Sequence, residues 1–158
     1  AEADAVSTSP EQWADSLPAI RAALEEAMRL YPPAPLMSRM AKEADQLGDT
    51  PIPKGAVVVI APWVLHRHRS LWTDPDAFRP ERFMPGACES IDRFAYLPFG
   101  AGPRVCIGAV FALQEAVIVL ANILRRVRLT HVGEAPRPLH RITLRPQGRL
   151  TMKMQPRT

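Results

Sequence analysis

Apolar residues recur at Leu17, Ile20, Leu24, Ala27, Met28 and Tyr31, a spacing of three or four that stops at Pro32 and Pro33. That period predicts a helix with one apolar face. Ser16 is placed to cap its N-terminus, and Pro18 suits a first turn whose amides have no partner within the helix. The pattern then changes: Pro53 to Gly55 make a turn, and the β-branched run Val57 to Ile60 predicts a strand. Between Pro62 and Gly86 no period lasts, because Pro62, Pro75, Pro80 and Pro85 cut the chain into pieces. An ordered meander holding one or two helical turns is expected there. A second helix is predicted over Val110 to Leu124, apolar nearly all round, which implies burial on most faces. Three strand-like runs close the chain, "RVRLTHV", "HRITLRP" and "GRLTMKM", with the last two joined by a turn at Pro146, Gln147 and Gly148.

A chain of 158 residues supports one hydrophobic core, so residues 1–158 are read as one unit. Its 17 prolines are about twice the usual share, in keeping with the long meander. No apolar run approaches the roughly 18 residues of a membrane span, and "AEADAVSTSP" has no signal-peptide character, so a cytoplasmic location is expected. Charge is distributed unevenly: residues 101–158 carry ten Lys or Arg against Glu115 and Glu134. No motif of a nucleic-acid module accompanies that charge, which leaves a solvated basic end or a docking face for an acidic protein. The cysteines, Cys88 and Cys106, are too few for a disulfide scaffold. No role is assigned to Cys88.

Cys106 stands in "LPFGAGPRVCIGAVFAL", just before the second helix. Unpaired amides and the positive end of a helix dipole favour an anion there, and a thiolate is one. Gly100 and Gly102 allow backbone conformations closed to other residues, Gly108 removes a side chain where a flat ligand could approach, and Arg104 can reach a carboxylate. A buried cysteine at a tight glycine turn is the plain alternative.

The full pattern, Phe99, Gly102, Arg104, Cys106 and Gly108 as F-x-x-G-x-R-x-C-x-G, resembles the haem-binding signature of the cytochrome P450 family. Glu26 and Arg29 in "EAMR" resemble that family's E-x-x-R helix, and "FRPERF" resembles the segment whose arginine, here Arg82, completes a Glu, Arg, Arg network. The resemblance implies a mainly α fold with small β-sheets, the C-terminal part of a bacterial-type member lacking the N-terminal part and its oxygen-activating central helix. It further implies haem b with Cys106 as axial thiolate on iron, Arg104 and Arg39 at the propionates, and His66 or Trp63 at the haem edge. Leu36, Met37, Ile142 and Thr143 fall in segments that line the substrate pocket in such proteins. No catalytic residue is identified, because the oxygen-activating groups belong to the part that is lacking.

The implied activity is a haem-thiolate monooxygenase fragment. In the complete protein it would insert one atom of O2 into a small apolar organic substrate, with electrons from a flavoprotein or ferredoxin. A non-catalytic haem-binding module of the same descent is the alternative. The basic C-terminal portion, with Arg125, Arg126 and Arg128, is the expected attraction for an acidic electron donor. His66 and His68 do not read as a metal pair, since imidazoles two apart diverge on a helix. Helical phasing alone sets Glu26 and Arg29 opposite the apolar stripe, as a wet surface pair. Only the resemblance places that face under the meander.

Overall fold

The computed structural model describes residues 2–5 and 9–157. Helices α1 (Glu2–Ala5), α2 (Trp13–Ser16) and α3 (Pro18–Leu30) lead into strands β1 (Met37–Met40), β2 (Asp45–Leu47), β3 (Thr50–Ile52) and β4 (Val57–Ile60). Then follow α4 (Pro62–Leu65), the long α5 (Ala109–Arg126), and β5 (Val127–His131), β6 (Pro138–His140), β7 (Leu144–Pro146) and β8 (Met152–Pro156). The strands form separate antiparallel pairs, β1 with β4, β2 with β3, β5 with β8 and β6 with β7. Between α4 and α5 the meander is ordered around short 3-10 turns at Pro80–Phe83, Cys88–Ser90 and Gly102–Arg104.

Helix α3 is the organising element because it is buried on two sides. Leu17 at its entry, and Ile20 with Leu24, pack with Val117 and Ala121 of α5 and Trp13 of α2. Ala22 on another side joins Trp72, Phe83 and Ala95 of the meander. Loop segments remote in sequence therefore cover the face that helical phasing alone leaves wet.

The α3 N-terminus is capped differently from the sequence expectation. Leu17 is the cap residue and makes no side-chain cap, while Ser16 ends α2. The two amides that need acceptors are served from a distance: Ala19 N–H donates to Glu2 Oε1 at 3.0 Å and Ile20 N–H to Oε2 at 3.1 Å. A carboxylate at a helix N-terminus also meets the positive end of the dipole. Glu2→Ala is expected to destabilise the fold by about 1 kcal/mol, measured by urea unfolding. An unchanged midpoint would show that this cap carries no weight.

Two further expectations are corrected. Helix α5 is not buried on most faces: Val117 and Ala121 are buried, whereas Val110, Phe111 and Val119 are exposed. Among the described residues, α5 packs on α1, α2 and α3 and on the adjoining β5. Nor do "HRITLRP" and "GRLTMKM" form a hairpin. The former bends at Arg141–Thr143, so that β6 pairs with β7, and β8 pairs with β5 over a five-residue register. Pro138 and Pro146 face each other at the last position of the β6–β7 ladder, where a residue without an N–H costs least. Beyond them Gln147 N–H donates to the Arg137 carbonyl at 2.8 Å and closes the hairpin base.

Candidate functional site

The loop from Leu97 to Gly108 presents the signature cysteine in a folded turn. Gly100 N–H donates to the Leu97 carbonyl, Val105 N–H to the Gly102 carbonyl, and Cys106 N–H to the Phe99 carbonyl at 2.9 Å. Gly100 and Gly102 have φ of 76° and 72°, a region that side chains disfavour. A Cβ on Gly100 would in addition stand 3.3 Å from Met37 Sδ. The turn therefore packs closely on β1 and brings Met37 to the cysteine loop, while Leu36 beside it is exposed.

Cys106 is a free, exposed thiol, and a Cβ on Gly108 would lie 3.9 Å from its Sγ. Around it Val105, Ile107, Val110 and Phe111 expose apolar side chains, Ile107 completely. Arg104 is exposed in the 3-10 turn next to the thiol. Arg39 on β1 is also exposed, with Nη1 on the Ser38 carbonyl at 2.8 Å. Neither guanidinium has a carboxylate partner among the described residues. One soft sulfur donor, an apolar surround and arginines able to meet carboxylates suit a flat, largely apolar macrocycle bearing acidic side groups. Haem has that chemistry, and the residues present fit it.

Beneath the loop lies a buried polar cluster that ties α3 to the meander. Glu26 and Arg29 are fully buried. Arg29 Nε donates to Glu26 Oε2 at 2.7 Å and Nη2 to Oε1 at 2.9 Å. Its remaining hydrogens reach three backbone carbonyls, of His66 and Pro75 at 2.7 Å and of Ala77 at 3.1 Å. All five donors of the guanidinium are thus satisfied. The Arg79 N–H donates to Glu26 Oε1 at 2.8 Å. Arg82 Nε stands 3.4 Å from the same oxygen, an ion pair without a hydrogen bond, while its Nη2 donates to the Asp74 carbonyl. Asp74 takes a left-handed φ of 49°, a conformation Asp tolerates better than most. The Trp72 ring lies 5.0 Å from the Arg29 guanidinium. Glu26, Arg29 and Arg82 therefore meet, and the backbone carbonyls and Trp72 are members that sequence reasoning missed.

His66 lies inside the fold, between α3 and the cysteine loop. It is fully buried, its Nε2 accepts the Leu97 N–H at 2.8 Å, and its Nδ1 is 3.2 Å from the Arg29 carbonyl. The first bond makes Nε2 the acceptor, so Nδ1 carries the proton and donates. Burial pushes its pKa down to about 4. Both ring nitrogens are committed within the chain, so His66 links α3 to the start of the cysteine loop. His68 Nδ1 pairs with Ser70 Oγ at 2.7 Å. Trp63 has Arg67 over its face at 3.8 Å and His140 against its edge at 4.7 Å.

Other expected residues are scattered. Ile142 is fully exposed in the β6–β7 turn beside Thr143, whose Oγ1 accepts from Arg145 Nε. Arg125 and Arg126 lie in the last turn of α5, roughly 25 Å along the axis from the cysteine end. Of the basic C-terminal set, Arg104 is the one beside the thiol. Among the described residues no helix is long and apolar enough to cross a membrane, and no group of three or more His, Cys, Asp or Glu could hold a metal ion.

Comparison with known proteins places these features in a wider context. The family model described as cytochrome P450 matches residues 5–154. Cyclooctatin synthase of Streptomyces melanosporofaciens is 44% identical over 126 residues, covering 80% of this chain and 26% of that protein. Cytochrome P450 3A27 of Oncorhynchus mykiss is 43% identical over 116 residues, 73% of this chain and 22% of its own length. The crystal structure of the cytochrome P450DA heme domain superposes with a TM-score of 0.85 at 31% identity, covering 98% of this chain and 34% of that one. The chain thus spans about a quarter of these curated relatives and about a third of the solved structure.

Proposed function

The chain belongs to the cytochrome P450 family, and from that premise we propose that it forms the cysteine-bearing side of a haem-thiolate monooxygenase. In the complete protein, one atom of O2 is inserted into a small apolar organic substrate, with electrons from a flavoprotein or ferredoxin. The observation that carries this reading is the exposed Cys106 thiol held on a turn with two left-handed glycines, inside the F-x-x-G-x-R-x-C-x-G pattern. Haem ligated by a thiolate supplies oxygen activation when bound.

In this reading the chain's own residues bind and orient. Cys106 would hold the haem iron through its thiolate sulfur, and Phe99, Gly102 and Gly108 shape the turn around it. Arg104 and Arg39 hold the carboxylates of the cofactor in charge-assisted hydrogen bonds. Leu36, Met37, Ile142 and Thr143 contribute to the apolar substrate side, of which Met37 already touches the cysteine loop. Glu26, Arg29 and Arg82 touch neither cofactor nor substrate in this scheme. They hold α3 and the meander so that the loop keeps its form.

The test is spectroscopic. The chain supplied with haem, reduced and exposed to carbon monoxide is expected to show the red-shifted band of thiolate ligation. Cys106→Ser is expected to lose that band at unchanged melting temperature, because the side chain is exposed. Failure to take up haem, or a band that survives Cys106→Ser, would overturn the proposal.

A further inference from the structure

A pocket lies between the end of α3 and the β6–β7 hairpin and shares no residue with the cysteine loop. It encloses about 350 Å³ and is lined by Tyr31, Pro138, Leu144, Pro146, Leu150 and Arg145, among others. Contacts on two sides hold its walls. Leu144 N–H donates to the Pro33 carbonyl at 3.0 Å, which fastens the hairpin to the turn after α3. Tyr31 packs on Trp63, and Trp63 meets His140 of β6 edge to face. The lining prolines add little motion of their own. A preformed apolar cleft with few polar groups is the usual form of a small-molecule site.

The polar groups set the class of ligand. Arg145 is exposed, uses Nε on Thr143 Oγ1, and has no carboxylate partner among the described residues. No Asp or Glu follows Glu134, while Arg137, Arg141 and Arg149 flank the same hairpin, so the local field favours an anion. A guanidinium matches a carboxylate through two parallel hydrogen bonds. The rest of the lining offers hydrocarbon contact. The geometry points to a binding site for a small organic monocarboxylate with a hydrocarbon body, its carboxylate on Arg145 and its chain along Pro138, Leu144, Pro146 and Leu150. This inference goes beyond the haem reading and does not depend on it.

Octanoate titrated into the full chain, followed by backbone amide shifts, is expected to bind saturably and to perturb Ala135, Leu144 and Leu150. Arg145→Gln, a substitution at an exposed position, is expected to weaken octanoate about tenfold. It should leave 1-octanol, the uncharged control, within about twofold. Equal losses for the acid and the alcohol, no saturable binding, or shifts confined to Ile107–Phe111 would each overturn the assignment. None of these signals passes through haem, so failure here and failure of haem uptake are separate results.

Discussion

Glu26→Ala is expected to destabilise the fold by about 3–5 kcal/mol, whereas Glu25→Ala, one residue away, costs about 1 kcal/mol or less. The difference follows from what each carboxylate holds. Glu26 accepts hydrogen bonds from Arg29 Nε and Nη2 and from the Arg79 amide, and faces Arg82 across 3.4 Å. Removing it strands a fully buried guanidinium. Among the described residues Glu25 has one distant ion pair, to Arg21 Nε at 3.7 Å, and its side chain is 16% exposed. Total stabilities of domains are about 5–15 kcal/mol, so the first change removes a large share and the second does not. Urea unfolding of the two variants reads this directly, and haem uptake should fail for Glu26→Ala and persist for Glu25→Ala. Equal, mild effects would sink the network. Replacing both Glu26 and Arg29 by apolar residues should not restore stability. The carbonyls of His66, Pro75 and Ala77 would lose their Arg29 donor in a buried place.

That cluster also marks the boundary of what sequence shows. Helix α3 follows from its period, helix α5 from its long apolar run, and the cysteine turn from residue types at fixed spacing. The partners of Arg29 leave no such trace, because three of its five bonds go to backbone carbonyls that any residue could supply. Their positions depend on a meander that closes over α3 from about 40 to 50 residues away. Periodicity consequently places Glu26 and Arg29 in water, and only the family resemblance brings Arg82 to them. The C-terminal strands failed for a related reason. A run such as "HRITLRP" has strand-forming residues throughout, and only the pairing of Pro138 with Pro146 and of β5 with β8 decides where it bends. Composition alone makes helix α5 look buried all round, whereas burial depends on which neighbours the chain brings to it. The two partners of His66, a carbonyl and an amide, are likewise invisible in side-chain chemistry.

Those two partners give His66 the second large effect, a loss of stability on acidification. Its pKa falls from 6.5 to about 4 in the folded chain, chiefly by burial, with the nearby charges of Arg29 and Arg67 adding to the shift. Between those values the unfolded state binds a proton that the folded state refuses, so stability rises with pH across the window. The contribution is fully present above about pH 6.5, declines as pH falls toward 4, and is exhausted below it, a loss of about 3 kcal/mol. Protonation would place a donor at Nε2 against the Leu97 amide, so the cysteine loop should loosen first. Glu25 acts in the opposite sense in part of this range. Burial raises its pKa, so the folded state binds its proton more readily and gains stability as pH falls through that value. Urea unfolding at pH 7 and pH 4.5, compared with His66→Gln and Glu25→Gln, separates the two. His66→Gln should lower stability at pH 7 and flatten the pH profile, while Glu25→Gln should steepen it. A profile of the Glu25→Gln variant that stays flat from pH 7 to 4.5 would show that His66 is not the buried, neutral strut described above.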